Sequence, residues 1–374
     1  MIKILHTADL HLSKDFKGLG EFGEELRETI KHTFSKIIDL ALERKIDLLL
    51  ISGDLFDSNK VSSKLVGYVV SELKRLGGIP VCIIPGTHDC YDSKSVYRRN
   101  EFTNNLENVF IFKNSTPTTK IFEELNVAIH AKTNITNLGS ISLLKDLKPN
   151  KEALFNIALA HGSIKIEGKY NLEEYVIDPK EIENSDMDYV ALGHWHKCAE
   201  YSFGKTKAWY SGSPETLQFE DRDESGYVLI INLDEGKCEV EKIKKGKYTW
   251  QEFDIDTSIY PVQNQLEHQI LNYKGEDKIV KVRLKGIISP DSSIDFAELE
   301  EKLKNHFAFL KIHSSDVHPD IPINLESLFP KGTVGYNFVQ ILKTKIESLP
   351  DEKKEIFEGA LRKGIALLSG NLKL

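Results

Sequence analysis

The chain has 374 residues, enough for one large domain and a smaller one, and its 40% hydrophobic and 28% charged residues are ordinary for a folded globular protein. No stretch approaches the ~18 apolar residues that span a bilayer, which excludes a transmembrane helix. The formal net charge of −8 argues mildly against a nucleic-acid partner, although bound metal ions would neutralise several carboxylates. Met1–Leu5 lacks the pattern of a signal peptide, so we expect a soluble, cytoplasmic protein.

The N-terminal part of the chain alternates between two kinds of apolar pattern. Continuous apolar runs predict buried strands, and apolar residues at helical spacing predict helices between them. This order favours a mainly parallel sheet. The predicted elements are Ile2–His6, Glu24–Arg44, Asp47–Ser52, Ser62–Leu76 and Pro80–Ile84. Later strands are predicted at Val127–His130, Ile157–Ala160 and Tyr189–Leu192, and an antiparallel hairpin at Tyr227–Leu233 and Cys238–Lys242.

The pattern changes after residue 254. Val280–Leu284 alternates as a half-buried strand does, Asp295–Glu298 has the form of a helix-capping box, and Phe309–Ile312 predicts a returning strand. Two amphipathic helices follow, with a break at Pro350, and they either pack on their own protein or dock a partner. We therefore expect three domains: 1–253, 254–330 and 331–374.

Five short motifs of metal-ligand residues each follow an apolar run. They are Asp9-Leu10-His11, Gly53-Asp54, Gly86-Thr87-His88-Asp89, His161-Gly162 and Gly193-His194-Trp195-His196. Ligands two residues apart at a strand end leave the same face of the sheet. Carboxylates, imidazoles and one neutral oxygen ligand suit a pair of divalent ions, which can clamp the attacking and leaving oxygens of a phosphoryl displacement. These motifs predict cleavage of phosphoester bonds.

The order of the motifs resembles that of the calcineurin-like metallophosphoesterases, and within them the SbcD-type nucleases of DNA double-strand-break repair. The stretches that carry the resemblance are His6–Leu12, Ser52–Asp57, Asp188–His196 and Tyr210–Pro214. The resemblance covers residues 1–250 and implies an α/β fold of four layers, in which helices flank two mixed sheets. The segment after residue 254 resembles a small α/β DNA-capping domain only in pattern, and a helical C-terminus follows it.

The resemblance also implies roles for individual residues around two metal ions. The implied ligands are Asp9, His11 and His196 for the first ion, Asp54 as a bridge, and His161, His194 and Thr87 for the second. His88 would stabilise charge at the scissile phosphate or protonate the leaving oxygen. Thr87 replaces the family's Asn, and Asp57 stands where some relatives carry a His that orients the nucleophile. The implied metal is Mn²⁺, with Mg²⁺ as the alternative.

The function that this resemblance implies is a metal-dependent DNA nuclease, with exonuclease or endonuclease activity. Its implied partners are DNA, a second copy of the chain and an SMC-like ATPase of the SbcC type. One alternative is a phosphomonoesterase or cyclic-nucleotide phosphodiesterase on the same scaffold. Another is a DNA-binding subunit with a weakened metal site, for which Thr87 is the only support. The size of the predicted 254–330 domain favours DNA over a small substrate.

Overall fold

The structure is a computed structural model that describes residues 1–104, 106–168, 170–289, 294–319 and 329–368. It divides into two compact units, Met1–Thr249 and Trp250–Leu374. The strands of the first unit are β1 (Ile2–Thr7), β2 (Leu48–Ser52), β3 (Val81–Ile84), β4 (Val109–Ile111), β5 (Thr118–Phe122), β6 (Val127–Ala131), β7 (Phe155–His161), β8 (Tyr189–Gly193), β9 (Ala199–Glu200), β10 (Lys207–Tyr210), β11 (Tyr227–Asp234) and β12 (Lys237–Lys244). Its helices are α1 (Phe22–Glu43), α2 (Ser63–Lys74), α3 (Asn100–Thr103) and α4 (Pro179–Glu183).

Two six-stranded mixed sheets form the first unit, with strand orders β12-β11-β1-β2-β3-β4 and β5-β6-β7-β8-β10-β9. Strands β1 to β4 are parallel, and β11 and β12 form the predicted antiparallel hairpin beside them. In the second sheet β6, β7, β8 and β10 are parallel, with antiparallel edges. Ile4 and Leu50 of one sheet pack in one apolar cluster with Ile129 and Leu159 of the other. The predicted fold class, two mixed sheets with helices, is confirmed.

Apolar stripes predict the main helices of the first unit, and a capping side chain also marks the start of α2. On α1 the residues Leu26, Ile30 and Phe34 recur at helical spacing and are buried. Ser62 caps α2 by accepting a hydrogen bond from the Leu65 N–H at 3.2 Å, which satisfies one of the free donors of the first turn. The outer face of the second sheet, including Ala160, packs in a cluster with α4. All five elements predicted between residues 2 and 84 are confirmed.

Parallel pairing brings the ligand motifs to one edge of each sheet. Thr7 pairs with Ile51, so β1 and β2 end side by side, and β3 ends next to them. In the second sheet His161 at the end of β7 pairs with Gly193 at the end of β8. Loops that follow the carboxyl ends of parallel strands commonly carry the site of an α/β protein.

The second unit contains a three-stranded sheet of β13 (Thr249–Asp256), β14 (Gly275–Ile288) and β15 (Phe307–Pro319). Its helices are α5 (Gln263–Leu271), α6 (Phe296–Leu303), α7 (Val334–Glu347) and α8 (Asp351–Leu368). Asp295 caps α6 through the N–H groups of Ala297 and Glu298, at 2.9 and 3.0 Å. Val280 packs with Leu266 and Leu299 in one core. The predicted strand–helix–strand unit is confirmed, because β14 and β15 are parallel and flank α6 in the chain.

The two predicted C-terminal helices are present as α7 and α8. Val339, Leu361 and Ile365 are buried in a cluster that these helices form with Phe329. Ile341 of α7 is 66% exposed. None of the helices in the described ranges is long and apolar enough to cross a lipid bilayer. The separation of residues 331–374 as a domain of their own stays a prediction.

Candidate metal centre

The three residues predicted to hold the first ion lie together. Asp9, His11 and His196 each offer one ligand atom, and these atoms are within 4.8 Å of one another. The carboxylate of Asp9 is completely buried and accepts the backbone N–H of His194 through both oxygens, at 3.0 and 3.1 Å. This hydrogen bond ties the loop after β1 to the loop after β8, so the two halves of the ligand group hold each other in place.

Asp54 lies between two histidines that come from different sheets. Its Oδ2 is 3.7 Å from His11 Nε2 and 3.2 Å from His161 Nε2. Both nitrogens are buried, and neither makes a hydrogen bond within the described part of the chain. Buried polar atoms are nearly always paired, so unpaired nitrogens that face a buried carboxylate fit a cation between them. Asp9, Asp54 and His161 also form a second group of possible ligands within 4.8 Å.

The other two residues predicted for the second ion are His194 and Thr87. The rings of His194 and His161 are 5.3 Å apart, and His194 Nε2 faces Glu174 Oε2 at 3.7 Å. The Thr87 hydroxyl donates a hydrogen bond to Asp54 Oδ2 at 3.3 Å. The threonine oxygen therefore contacts the predicted bridging carboxylate.

His88 and Asp57 complete the rim of the site. The His88 side chain is 49% exposed, and its Nδ1 is 3.1 Å from the Asp57 carbonyl oxygen. Asp57 Oδ1 is 3.0 Å from His11 Nδ1, so a proton held on Nδ1 leaves Nε2 free to act as a ligand. His11, Asp57 and His88 form a third group of possible ligands within 4.8 Å.

Two outer carboxylates were missed by the sequence reasoning. Asp221 Oδ2 is 2.7 Å from His196 Nδ1, and Glu174 faces His194 as described above. A carboxylate hydrogen-bonded as Asp221 is orients a metal-binding imidazole and raises its basicity, whereas Glu174 makes an ion-pair contact without a hydrogen bond to His194. Asp221 ends a short 3₁₀ helix and Glu174 lies between the regular elements, and neither belongs to a recognisable motif. Only a general rule could have pointed to them: a histidine that binds a metal through one ring nitrogen usually needs a hydrogen-bond partner for the other.

Four of the candidate ligands have positive φ angles. The φ angles of Asp9, His11, Asp54 and His194 are 53°, 48°, 48° and 108°. Residues other than glycine rarely adopt positive φ, and such strain collects at functional sites. Backbone hydrogen bonds hold these conformations, from Asp9 N–H to the Gly53 oxygen at 3.1 Å and from His11 N–H to the Asp54 oxygen at 3.0 Å.

Close packing requires glycine at positions 53 and 193 of the motifs. A Cβ atom on Gly53, whose φ is +90°, would overlap the His161 ring, and one on Gly193 would overlap the Ser52 carbonyl oxygen. The Ser52 carbonyl oxygen also accepts a hydrogen bond from His161 Nδ1–H at 2.8 Å. The two sheets can approach this closely at the site because the two glycines have no side chain.

Burial and neighbouring charges lower the pKa values of Asp54 and His194 and raise the pKa of His161. Burial disfavours the ionised form of Asp54, but His161 and His11 outweigh it and hold the pKa of the carboxyl well below its usual range. Burial also opposes charge on His161, yet the carboxylates of Asp54 and Asp9 raise its pKa to about 9. Burial, followed by repulsion from His161, lowers the pKa of His194 to about 4. The centre thus favours positive charge next to Asp54, where a divalent cation would displace the proton.

The family profile described as "Calcineurin-like phosphoesterase" matches residues 2–198, more than half of the chain. The chain belongs to the calcineurin-like phosphoesterase family. This family hydrolyses phosphoesters with divalent metal ions, and the groups around Asp54 are candidate ligands for them. The resemblance noted from the motifs is therefore confirmed.

The chain is also similar, at modest identity, to individual proteins. The protein "Uncharacterized metallophosphoesterase YhaO" of Bacillus subtilis is 27% identical over 296 residues, 76% of this chain and 69% of the relative. "DNA double-strand break repair protein Mre11" of Sulfurisphaera tokodaii is 30% identical over 230 residues, 59% of this chain and 55% of the relative. One component of the nuclease SbcCD of Bacillus subtilis is 23% identical over 297 residues, 67% of this chain and 69% of the relative. The chain thus spans about half the length of the Sulfurisphaera protein.

Proposed function

We propose that this calcineurin-like phosphoesterase is a metal-dependent DNA nuclease that hydrolyses phosphodiester bonds with two metal ions and acts in double-strand-break repair. The observation that carries the metal chemistry is the position of Asp54 Oδ2 between two unpaired imidazole nitrogens, on His11 and His161. The choice of DNA is supported by relatives named as a DNA double-strand-break repair protein and as part of a nuclease.

In this proposal two ligands of each ion lie at or after the carboxyl ends of strands in the same sheet, and the Asp54 carboxylate binds both ions. The proposed ligands are Asp9, His11 and His196 for one ion, His161, His194 and Thr87 for the other, and Asp54 for both. Mn²⁺ fits this mixture of oxygen and nitrogen ligands, and Mg²⁺ is the alternative. When bound, the ions would supply an activated water and neutralise charge on the phosphoryl oxygens.

The chain's own residues would orient the ligands and move a proton. The half-exposed His88 reaches solvent beside His11, with ring centres 4.7 Å apart, so it can contact a phosphate without leaving its position. We assign it to charge stabilisation or to protonation of the leaving oxygen. Asp57 would hold the proton of His11 on Nδ1, and Asp221 would do the same for His196.

Two other functions are weighed against the nuclease. A phosphomonoesterase or cyclic-nucleotide phosphodiesterase could use the same centre, but a small substrate does not require a second unit such as Trp250–Leu374. A DNA-binding subunit with a weakened site is favoured only by Thr87, whose hydroxyl contacts Asp54 instead of reaching further into the site as an amide would.

Exposed apolar residues on one side of α7 support the proposal that the chain binds a partner protein. Val334 and Ile341 are 78% and 66% exposed, and a spacing of seven residues puts them on one side of the helix. Exposed apolar residues arranged in this way suit docking of an amphipathic helix to another protein. We propose that residues 331–374 dock an SMC-like ATPase of the SbcC type and that the nuclease acts as a homodimer.

The deciding experiment compares three substrates with Mn²⁺ present: linear duplex DNA, bis(p-nitrophenyl) phosphate and p-nitrophenyl phosphate. Nucleotide release from DNA that Asp54→Asn abolishes would support the nuclease. Preference for the monoester would favour the phosphatase alternative. Binding of DNA without hydrolysis of any substrate would favour the weakened site.

A further inference from the structure

A cavity of about 430 Å³ lies beside the histidines that follow β8. His196 and Asp221 form the side next to the metal centre, and Trp195, Lys197, Tyr201 and Gln218 form much of the rest. Its volume lies within the range of about 300–1,000 Å³ that is typical of small-molecule sites. None of the roles proposed above uses Trp195, Tyr201 or Gln218.

The aromatic wall of this cavity is held rigidly. The Trp195 ring stacks on Tyr210, with centroids 5.0 Å apart and an angle of 20°. Tyr201 meets Trp195 edge-on at 5.4 Å, and the indole N–H donates to Ser163 Oγ at 3.0 Å. Contacts on three sides fix the ring before any ligand arrives, so little conformational entropy is lost on binding.

Polar groups on the cavity wall can orient a ligand by hydrogen bonds and charge. The exposed Gln218 side chain donates one N–H to Asp221 Oδ1 at 3.3 Å, and an amide still offers another N–H and a carbonyl oxygen. Lys197 adds an exposed ammonium group. The negative charge of Asp221 is directed at His196 Nδ1, 2.7 Å away, which reduces its repulsion of an anionic ligand.

We propose that this cavity binds the nucleobase of the nucleotide whose phosphate reaches the metal centre. Aromatic side chains that stack on a base, together with an amide that hydrogen-bonds its edge, are the usual means of holding an unpaired base. His196 belongs both to the cavity and to the first ligand group, which places the phosphate end of such a ligand at the centre. The inference rests on the proposed function, since it names the part of a nucleic-acid substrate that lies next to the reacting phosphate.

The test compares two ligands that differ only in the base, deoxyadenosine 5′-monophosphate and deoxyribose 5-phosphate, by calorimetry on the full chain with Mn²⁺. We expect the nucleotide to bind about tenfold more tightly. Tyr201→Ala and Gln218→Ala should remove most of this ratio, and Tyr201→Phe should keep it. Tyr273→Ala, at a partly exposed tyrosine of the second unit, is the matched control and should leave the ratio unchanged.

Equal affinities of the wild-type protein for the two ligands would overturn the proposal, and so would an unchanged ratio in both Tyr201→Ala and Gln218→Ala. Because the Gln218 side chain is exposed, its variant remains informative if Tyr201→Ala lowers the melting temperature. If the protein cleaves DNA but binds the two ligands with equal affinity, the proposal that the cavity binds a base is refuted and the nuclease proposal is not. A base-dependent ratio without cleavage of DNA would refute the nuclease alone.

Discussion

His196 Nδ1 lies 2.7 Å from Asp221 Oδ2. The Asp221 side chain is 11% exposed, so water competes little for the bond. Burial alone would lower the pKa of His196, but the bond to Asp221 and the charge of Asp9 raise it. The carboxylate thus fixes both the ring orientation and the position of the proton, which leaves Nε2 as the ligand atom.

Replacing this carboxylate should weaken the first ion site. We expect Asp221→Asn to lower Mn²⁺ affinity by about 10- to 100-fold, because the amide loses the charge that makes the imidazole more basic. Calorimetric titration with Mn²⁺ measures this. Asp223→Asn, at an exposed carboxylate in the same loop, is the matched control. Equal affinities in both variants would show that Asp221 does not act through His196.

Thr87→Asn should reduce the Mn²⁺ concentration needed for half-maximal activity. The Thr87 oxygen is bonded directly to Cβ and donates to Asp54 Oδ2, whereas an amide oxygen would extend further toward the proposed second ion. A neutral hydroxyl is also a poor ligand for a divalent cation. Activity should be measured against Mn²⁺ concentration, with Thr87→Ser as the variant that keeps a short hydroxyl. Coincident curves for wild type and Thr87→Asn would show that threonine serves as well as the amide.

His88→Ala should reduce kcat by about 10²- to 10⁴-fold and leave the number of bound Mn²⁺ ions unchanged. The reason is that His88 is half-exposed and bonded to the Asp57 carbonyl oxygen, while the proposed ligands are complete without it. Calorimetry gives the stoichiometry, and His32→Ala, at an exposed histidine of α1, controls for the loss of an imidazole. One ion fewer in the variant would make His88 a ligand.

His6 should make the protein less stable in acid. Complete burial lowers its pKa from 6.5 to about 3, so between these values the unfolded chain binds a proton that the folded protein does not. Above pH 6.5 the neutral His6 therefore causes no loss of unfolding free energy, and below that pH the unfolding free energy decreases as the pH falls. At pH 5 the loss is about 2 kcal/mol. Urea unfolding at pH 7 and pH 5 should show a smaller difference for His6→Gln, and an equal difference would contradict this.

Removal of residues 331–374 should leave a folded, active nuclease that no longer engages its ATPase partner. The helices of this segment bury Val339 and Leu361 in a cluster with Phe329, separate from the core around Val280. Ile341→Glu in the full chain should have the same effect on the partner, because that side chain is exposed. Pull-down with the ATPase and the melting temperature are the measurements. A collapse of the melting temperature on truncation would show that the helices complete the core of the second unit.

The elements that the sequence predicted best are those with a continuous or strictly periodic apolar pattern. Leu48–Ser52 is buried at every position, as its uninterrupted apolar run indicated. The edge strands Thr118–Phe122 and Ala199–Glu200 were missed because they are short and carry polar residues. Gly275–Ile288 extends well beyond the predicted 280–284, since charged residues at its solvent-facing ends hide the alternation.

The candidate site divides in the same way. Asp9, His11 and His196 could be grouped because their motifs follow recognisable strands and resemble, in the same order, those of the family, and this resemblance implied a shared ion. Asp221 and Glu174 could not, since their approach to His196 and His194 depends on loop paths that no periodicity encodes. Thr87 was found as a departure from the family pattern, but its hydrogen bond to Asp54 depends on how the loops after β2 and β3 meet.

The candidate ligands come from both sheets: Asp9 and Asp54 follow strands of one, and His161 ends a strand of the other. A cation bound by both sets would add a crosslink to the apolar core and the hydrogen bonds, such as His161 Nδ1–H to the Ser52 oxygen, that already join the two layers. Sliding of one sheet along the other would then require breaking coordinate bonds. Amide hydrogen exchange in β2 and β7 should therefore slow together when Mn²⁺ is added, although these strands lie in different sheets.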